Sequence, residues 1–183
     1  LQYGPLKAGL AFLPFTAGIM ISAGLASQFA PRIGVKPVAI VGMLVTAVGL
    51  AWLARVPVQG NYVIDVMPAI LLTSLGMGAV FVPLTLIATT GLKDSDQGLA
   101  SGLFNTSQQI GGALGLAVLS TIAASRSTGV GKASLVHGFH WAFAGGVCFI
   151  LAALVVLLVM LRRRDVERIQ AVVAKGDVVP IGG

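Results

Sequence analysis

The chain has 183 residues, of which 56% are hydrophobic and only 10% charged, with a mean hydropathy of +0.95. An average soluble chain carries about 25% charged residues, and a soluble domain this apolar would expose patches well beyond the few hundred Å² or so that soluble monomers tolerate. The net charge of +6 does not indicate nucleic acid, because the basic residues are spread over loops and one terminal run instead of lining one soluble face.

Reading between the charges gives five apolar stretches, 8–30, 38–54, 66–90, 99–124 and 138–161. A hydrocarbon core of about 30 Å needs roughly 17–25 helical residues, so each stretch predicts a transmembrane helix, with 38–54 at the lower limit. A charge at a span centre costs about 2.5–3.5 kcal/mol on the insertion scale, which explains why the charges fall outside or at the ends. The expected fold is all-α and polytopic, with a lipid bilayer as its solvent. A chain that opens on Leu1, with no signal peptide ahead of the first span, reads as a piece of a longer protein.

The connections are short and punctuated. Pro31 and Pro37 bracket Arg32, Gly34 and Lys36, predicting a tight turn in which Gly34 supplies backbone freedom. Gly91 reads as a helix end, and Asp94, Ser95 and Asp96 offer caps for the fourth helix. Asp65, just before the third stretch, reads as a cap for that helix, with proton or cation binding as the sharper alternative. After Leu161, the run Arg162–Arg164 anchors the inner surface, and Val166, Ile169 and Val173 at helical spacing predict a basic amphipathic segment. The residues 162–183 are thus expected to be cytoplasmic, ending in a flexible tail.

With the tail inside, eight of the twelve Lys and Arg residues lie on the cytoplasmic side, leaving Lys7, Arg55, Arg126 and Lys132 outside. Tyr3, Trp52, Tyr62 and Trp141 all fall at outer span ends, where amphipathic rings prefer to sit. Both patterns place Leu1 outside and Gly183 inside, in a plasma (bacterial inner) membrane.

Polar side chains are unevenly distributed over the spans. The second has essentially Thr46 alone, and the fifth little beyond His140 and Cys148. The first carries Thr16, Ser22, Ser27 and Gln28, the third Thr73, Ser74, Thr85, Thr89 and Thr90. The fourth is richest, with Ser101, Asn105, Thr106, Ser107, Gln108, Gln109, Ser120 and Thr121. Polar groups in hydrocarbon need partners or a wet cavity, so spans one, three and four are expected to face an interior and two and five to be peripheral. Asn105 and Gln109 share a helix face and, with Gln108, mark a cavity wall to which Thr16, Ser22, Thr73 and Thr85 are assigned as further lining. Gly111 and Gly115 form a G-x-x-x-G on an adjoining face, a helix-packing signal. Pro14 and Pro83 lie within spans, where proline removes a backbone hydrogen bond.

Several segments together resemble the C-terminal half of major facilitator transporters, closest to the fourteen-span drug:proton antiporters of EmrB/QacA type. They are Gln2–Pro14, the Arg32–Lys36 loop and Asn105–Gly112. The resemblance implies that the five spans are the last five of the C-terminal six-helix bundle, and that a missing N-terminal transmembrane half completes the carrier. It implies alternating access, with a proton gradient driving export of small amphipathic compounds. Arg32, Gly34 and Lys36 would then be a degenerate gating loop, with Gln28 where the family has an acid. No Asp or Glu lies within a span, so proton-coupling residues are expected outside this chain, which supplies cavity wall.

An enzyme is not expected. Ser101 and His140 fall at opposite ends of their spans, too far apart for a general base to reach its nucleophile. His137 and His140 alone do not make a metal site, and no cofactor is called for. A stand-alone membrane assembly or scaffold subunit is the alternative function, using the small-residue spacings Gly18–Ser22, Gly111–Gly115 and Gly138–Ala142–Gly146 for helix association.

Overall fold

The computed structural model describes residues 5–89, 92–129 and 131–160. The described residues form five α-helices, α1 (Pro5–Ile33), α2 (Val35–Leu53), α3 (Met67–Thr89), α4 (Asp94–Arg126) and α5 (Lys132–Met160), with a π-helical turn at Tyr62–Val66 leading into α3. Among the described residues there is no strand. The expected amphipathic segment and tail lie outside the described residues.

Four of the five helices are long and apolar enough to cross a membrane; α4 is not among them. The reason lies in its sequence, where Asp and Gln near the start are followed by the polar run Asn105–Gln109.

The first connection is tighter than its punctuation suggests. In place of a turn over Pro31–Pro37, α1 runs through Pro31 to Ile33 and α2 begins at Val35, so one residue separates them. That residue, Gly34, has φ 99° and ψ 151°, a conformation essentially restricted to glycine. Its N–H donates to the Ala30 carbonyl at 3.0 Å. Pro37 falls in the first turn of α2, where its missing N–H has no intrahelical partner to lose.

Helix α3 lies between α1 and α2 and packs extensively on both, while α5 packs on α4 and α2. The α1–α3 and α2–α3 crossings are built from small residues that let the backbones touch. A Cβ on Gly49 would lie 2.6 Å from the Thr73 nitrogen, and one on Gly76 would lie 2.4 Å from the Thr46 nitrogen. Gly42, Thr46 and Gly49 on α2 thus interlock with Ala69, Thr73 and Gly76 on α3, the same i, i+4, i+7 spacing on both helices. On the other side of α3, Gly78 meets the Ile19 carbonyl, and Gly18 meets Ser74. Close approach through small residues replaces the hydrophobic drive that lipid cannot supply.

The packing corrects the expected division of labour. Helix α2 is not merely peripheral. Val38 is buried with Ala26 and Ala30 of α1 against α3, Ala39 and Met43 between α3 and α5, and Thr46 against Gly76 of α3, and only the other face, with Val41, Leu44, Val48 and Trp52, is exposed.

The α4–α5 hairpin is closed by its turn. Ser127 Oγ donates to the Ala123 carbonyl at 2.8 Å, and a Cβ on Gly138 would strike both groups. The Arg126 guanidinium lies 4.5 Å from the Trp141 ring centroid, within cation–π range. At the same end of the bundle, the α2–α3 connection is capped by Asn61, whose Oδ1 accepts from the Val63 N–H at 2.9 Å. The Asp65 carboxylate reaches back to the Asn61 N–H at 2.7 Å. Asp65 therefore acts as part of a helix cap. The N-cap position of α4 falls on Lys93, which makes no side-chain cap hydrogen bond, and not on the expected Asp94, Ser95 or Asp96.

Candidate functional site

Helix α4 presents its polar run to the surface of this chain. Asn105, Thr106, Ser107, Gln108 and Gln109 are all exposed. Thr106 returns its hydroxyl to the Gly102 carbonyl at 2.8 Å, and none of the three carboxamides has a hydrogen-bond partner among the described residues. At 3.6 residues per turn, Gln109 stands roughly 40° from Asn105 while Gln108 stands roughly 60° away on the other side. The cluster is therefore split. Asn105 and Gln109 share an open face, whereas Gln108 lines a half-open groove of about 220 Å³ between α2, α3, α4 and α5.

That cavity is apolar apart from two residues. Met43 and Thr46 of α2 close its end, Met77, Val80, Phe81 and Leu84 of α3 form one wall, and Ile150 and Ala153 of α5 form another. The Thr46 hydroxyl already donates to the Gly42 carbonyl at 2.8 Å, which leaves the Gln108 carboxamide as its available hydrogen-bonding group. Met77 and Phe81, at 47% and 51% exposure, stand at the mouth. Phe81 meets Phe104 of α4 edge-on, with ring centroids 6.4 Å apart. Sequence reasoning weighed only polar residues and so passed over Met77 and Phe81. Their spacing of four was the available signal.

The other assigned lining residues separate. Thr16 is exposed on α1, and Thr85 is half-buried with its hydroxyl on the Phe81 carbonyl at 2.9 Å. Ser22 and Thr73 are buried in the helix seams rather than on an open wall. Ser22 donates to the Leu75 carbonyl across the α1–α3 crossing, and Thr73 donates to the Ala69 carbonyl at 2.8 Å beneath Gly49. Both belong to packing. A Cβ on Gly111 or Gly115 would have nothing within 4 Å, so no helix among the described residues closes on them. Of the gating-loop residues, Arg32 is exposed, Lys36 half-buried and Gly34 buried.

Near the start of α5, His140 Nε2 lies 2.7 Å from the Val56 carbonyl and donates to it, tying α5 to the α2–α3 connection. Ser101 and His140 are displaced by roughly 25 Å along the α4–α5 hairpin at 1.5 Å per residue, which rules out a nucleophile–base pair between them. Among the described residues no three His, Cys, Asp or Glu side chains gather as metal ligands.

The family profile described as Major Facilitator Superfamily matches residues 1–180. The chain belongs to the major facilitator superfamily. It is an integral membrane protein of a family that transports and does not catalyse. Among curated members, the puromycin resistance protein pur8 of Streptomyces alboniger is 33% identical over 178 residues, covering 87% of this chain and 35% of that protein. The cephamycin export protein CmcT of Amycolatopsis lactamdurans is 34% identical over 162 residues, covering 87% and 33%. The tetracenomycin C resistance and export protein of Streptomyces glaucescens is 31% identical over 122 residues, covering 67% and 22%. This major facilitator chain thus spans about a third of the length of the first two of these relatives.

Proposed function

We propose that this chain is the C-terminal portion of a drug exporter and forms one wall of its translocation path. The observation that carries the reading is the open face of α4. Asn105 and Gln109 stand side by side, exposed and unpaired, on a helix too polar to be a candidate span on composition alone. An unpartnered carboxamide facing hydrocarbon is costly, so this face belongs against another protein surface or an aqueous path. Relatives named for puromycin resistance and for cephamycin export point to the export of small amphipathic toxic compounds.

In this reading the carrier works by alternating access in a bacterial inner membrane, with the N-terminal side of α1 outside and the residues after α5 cytoplasmic. The four arginine and lysine residues on the outer side against eight on the inner support that orientation. Proton coupling resides in the N-terminal half, since among the described residues the candidate spans hold a single carboxylate, Asp65, and that one is engaged in the Asn61 cap. Thr16 on α1 and Thr85 on α3 extend the wall, and Arg32, Gly34 and Lys36 form the cytoplasmic turn that gates it. Gly111 and Gly115 are the contact for a helix of that other half.

In the full-length carrier, Asn105→Ala and Gln109→Ala should each change relative export rates among substrates by roughly two- to tenfold, the range of one hydrogen bond. Membrane insertion should be unaffected. Efflux assays over a panel of amphipathic antibiotics, with expression matched, test this. Identical profiles for both variants and the parent would remove these residues from the path.

A further inference from the structure

We infer that the cavity beside Gln108 is a distinct binding subsite, set into the bundle behind the open face of α4, for a planar aromatic group bearing one hydrogen-bonding substituent. The inference rests on the export reading for the identity of its occupant as cargo. Of the three carboxamides only Gln108 lines the pocket; Asn105 and Gln109 stand roughly 60° and 100° round the helix from it.

Three observations define the ligand. The first is size. An engineered dry cavity of about 150 Å³ accepts benzene, and the groove here, open on the side of Met77 and Phe81, has a volume of about 220 Å³, room for one or two fused rings. The second is wall chemistry. Met43 and Met77 place thioethers on opposing helices, and Phe81 presents a ring at the mouth, where it already makes an edge-on contact with Phe104. Sulfur at a ring edge and edge-to-face aromatic contacts both favour a flat π-system over a branched aliphatic one. Methionine also repacks readily, so the walls adjust to different rings.

The third observation is polarity. Thr46 is occupied by its own helix backbone, so Gln108 is the group that recognises a polar substituent. A carboxamide both donates and accepts, so it suits a hydroxyl or a ring amine in either orientation. A charged substituent is disfavoured, because no ionised side chain lines the cavity to offset its desolvation. The subsite therefore takes the neutral aryl end of an amphipathic molecule. Its charged end is left on the side of Asn105 and Gln109.

The test is photolabelling of the full-length carrier in nanodiscs with a diazirine-bearing 2-naphthol, mapped by peptide mass spectrometry. Label on Met43, Met77 or Phe81, displaced by unlabelled 2-naphthol, supports the subsite. Gln108→Leu should raise the naphthol concentration for half-displacement by roughly three- to tenfold, as expected for one hydrogen bond, while leaving displacement by naphthalene unchanged. Ala153→Phe places a ring beside the mouth and should cut labelling at least fivefold. Ala152→Phe, one position round the helix, should not.

Label spread evenly over lipid-facing residues, or unchanged by both Gln108→Leu and Ala153→Phe, overturns the subsite. If labelling fails while Asn105 and Gln109 variants still alter efflux profiles, the subsite falls and the export reading stands. If labelling behaves as expected but those efflux profiles do not move, the pocket is real and the assignment of α4's open face is at fault.

Discussion

At the residue scale, Gly34 shows how little chain the first connection needs. A residue at φ 99° and ψ 151° tolerates no Cβ without strain of about 1–3 kcal/mol, and here there is no loop on either side to absorb it. Gly34→Ala should lower the midpoint of thermal unfolding in detergent, whereas Pro37→Ala, within the first turn of α2, should change it little. Equal midpoints for Gly34→Ala and the parent would contradict the single-residue break. His140 acts at the same scale. Its hydrogen bond to the Val56 carbonyl is worth about 0.5–1.5 kcal/mol, and His140→Ala should speed proteolysis and hydrogen exchange in residues 54–61 without altering the helices. The imidazole's place beside Trp141, near the start of the fifth apolar stretch, was plain from the sequence, but its partner, 84 positions away, was not.

At the element scale, the distinction that matters is between glycines that meet backbone and glycines that meet nothing. Gly49→Val or Gly76→Val forces side-chain atoms into Thr73 or Thr46 at distances no Cβ occupies. Overpacking of that kind costs about 1–3 kcal/mol or more and should separate α2 from α3. Gly111→Val should leave this half unaffected, since its site is open, yet should impair assembly with the remainder of the carrier. Size-exclusion profiles of the two variants, each as the isolated half and as the whole protein, distinguish these outcomes.

The five helices were legible because charge and membrane thickness bound them from both ends. The interior was less legible. Thr46, Thr73, Thr85, Thr89, Thr106 and Thr121 all donate to the carbonyl four residues earlier. A hydroxyl satisfied by its own helix is indifferent to what it faces, so counting such residues did not separate wall from seam. Thr73, buried in the α2–α3 seam, is one such residue, whereas Ser22 lies in the α1–α3 seam and donates across it to Leu75. Carboxamides cannot be satisfied so locally, and Asn105, Gln108 and Gln109 are where the polar count did point to open surface. The Gly42–Thr46–Gly49 and Ala69–Thr73–Gly76 spacings that build the tightest seam were present in the sequence, and they become meaningful once the two helices are known to be neighbours.

At the scale of the whole molecule, α1, α2 and α3 form one unit joined through backbone contacts, and α4 with α5 forms a second closed by the Ser127–Gly138 turn. The units meet mainly along α2 and α5, through Met43, Ile40, Leu154 and Leu157, with α3 and α4 touching sparsely. Helices whose main chains abut share a fixed register, because sliding by one turn would drive side chains into peptide planes. A contact made only of flexible side-chain tips has no such ratchet. Shear within this half is therefore expected between α2 and α5, and spin labels at Leu44 and Val156 should report a broader distance distribution than labels at Leu44 and Met77.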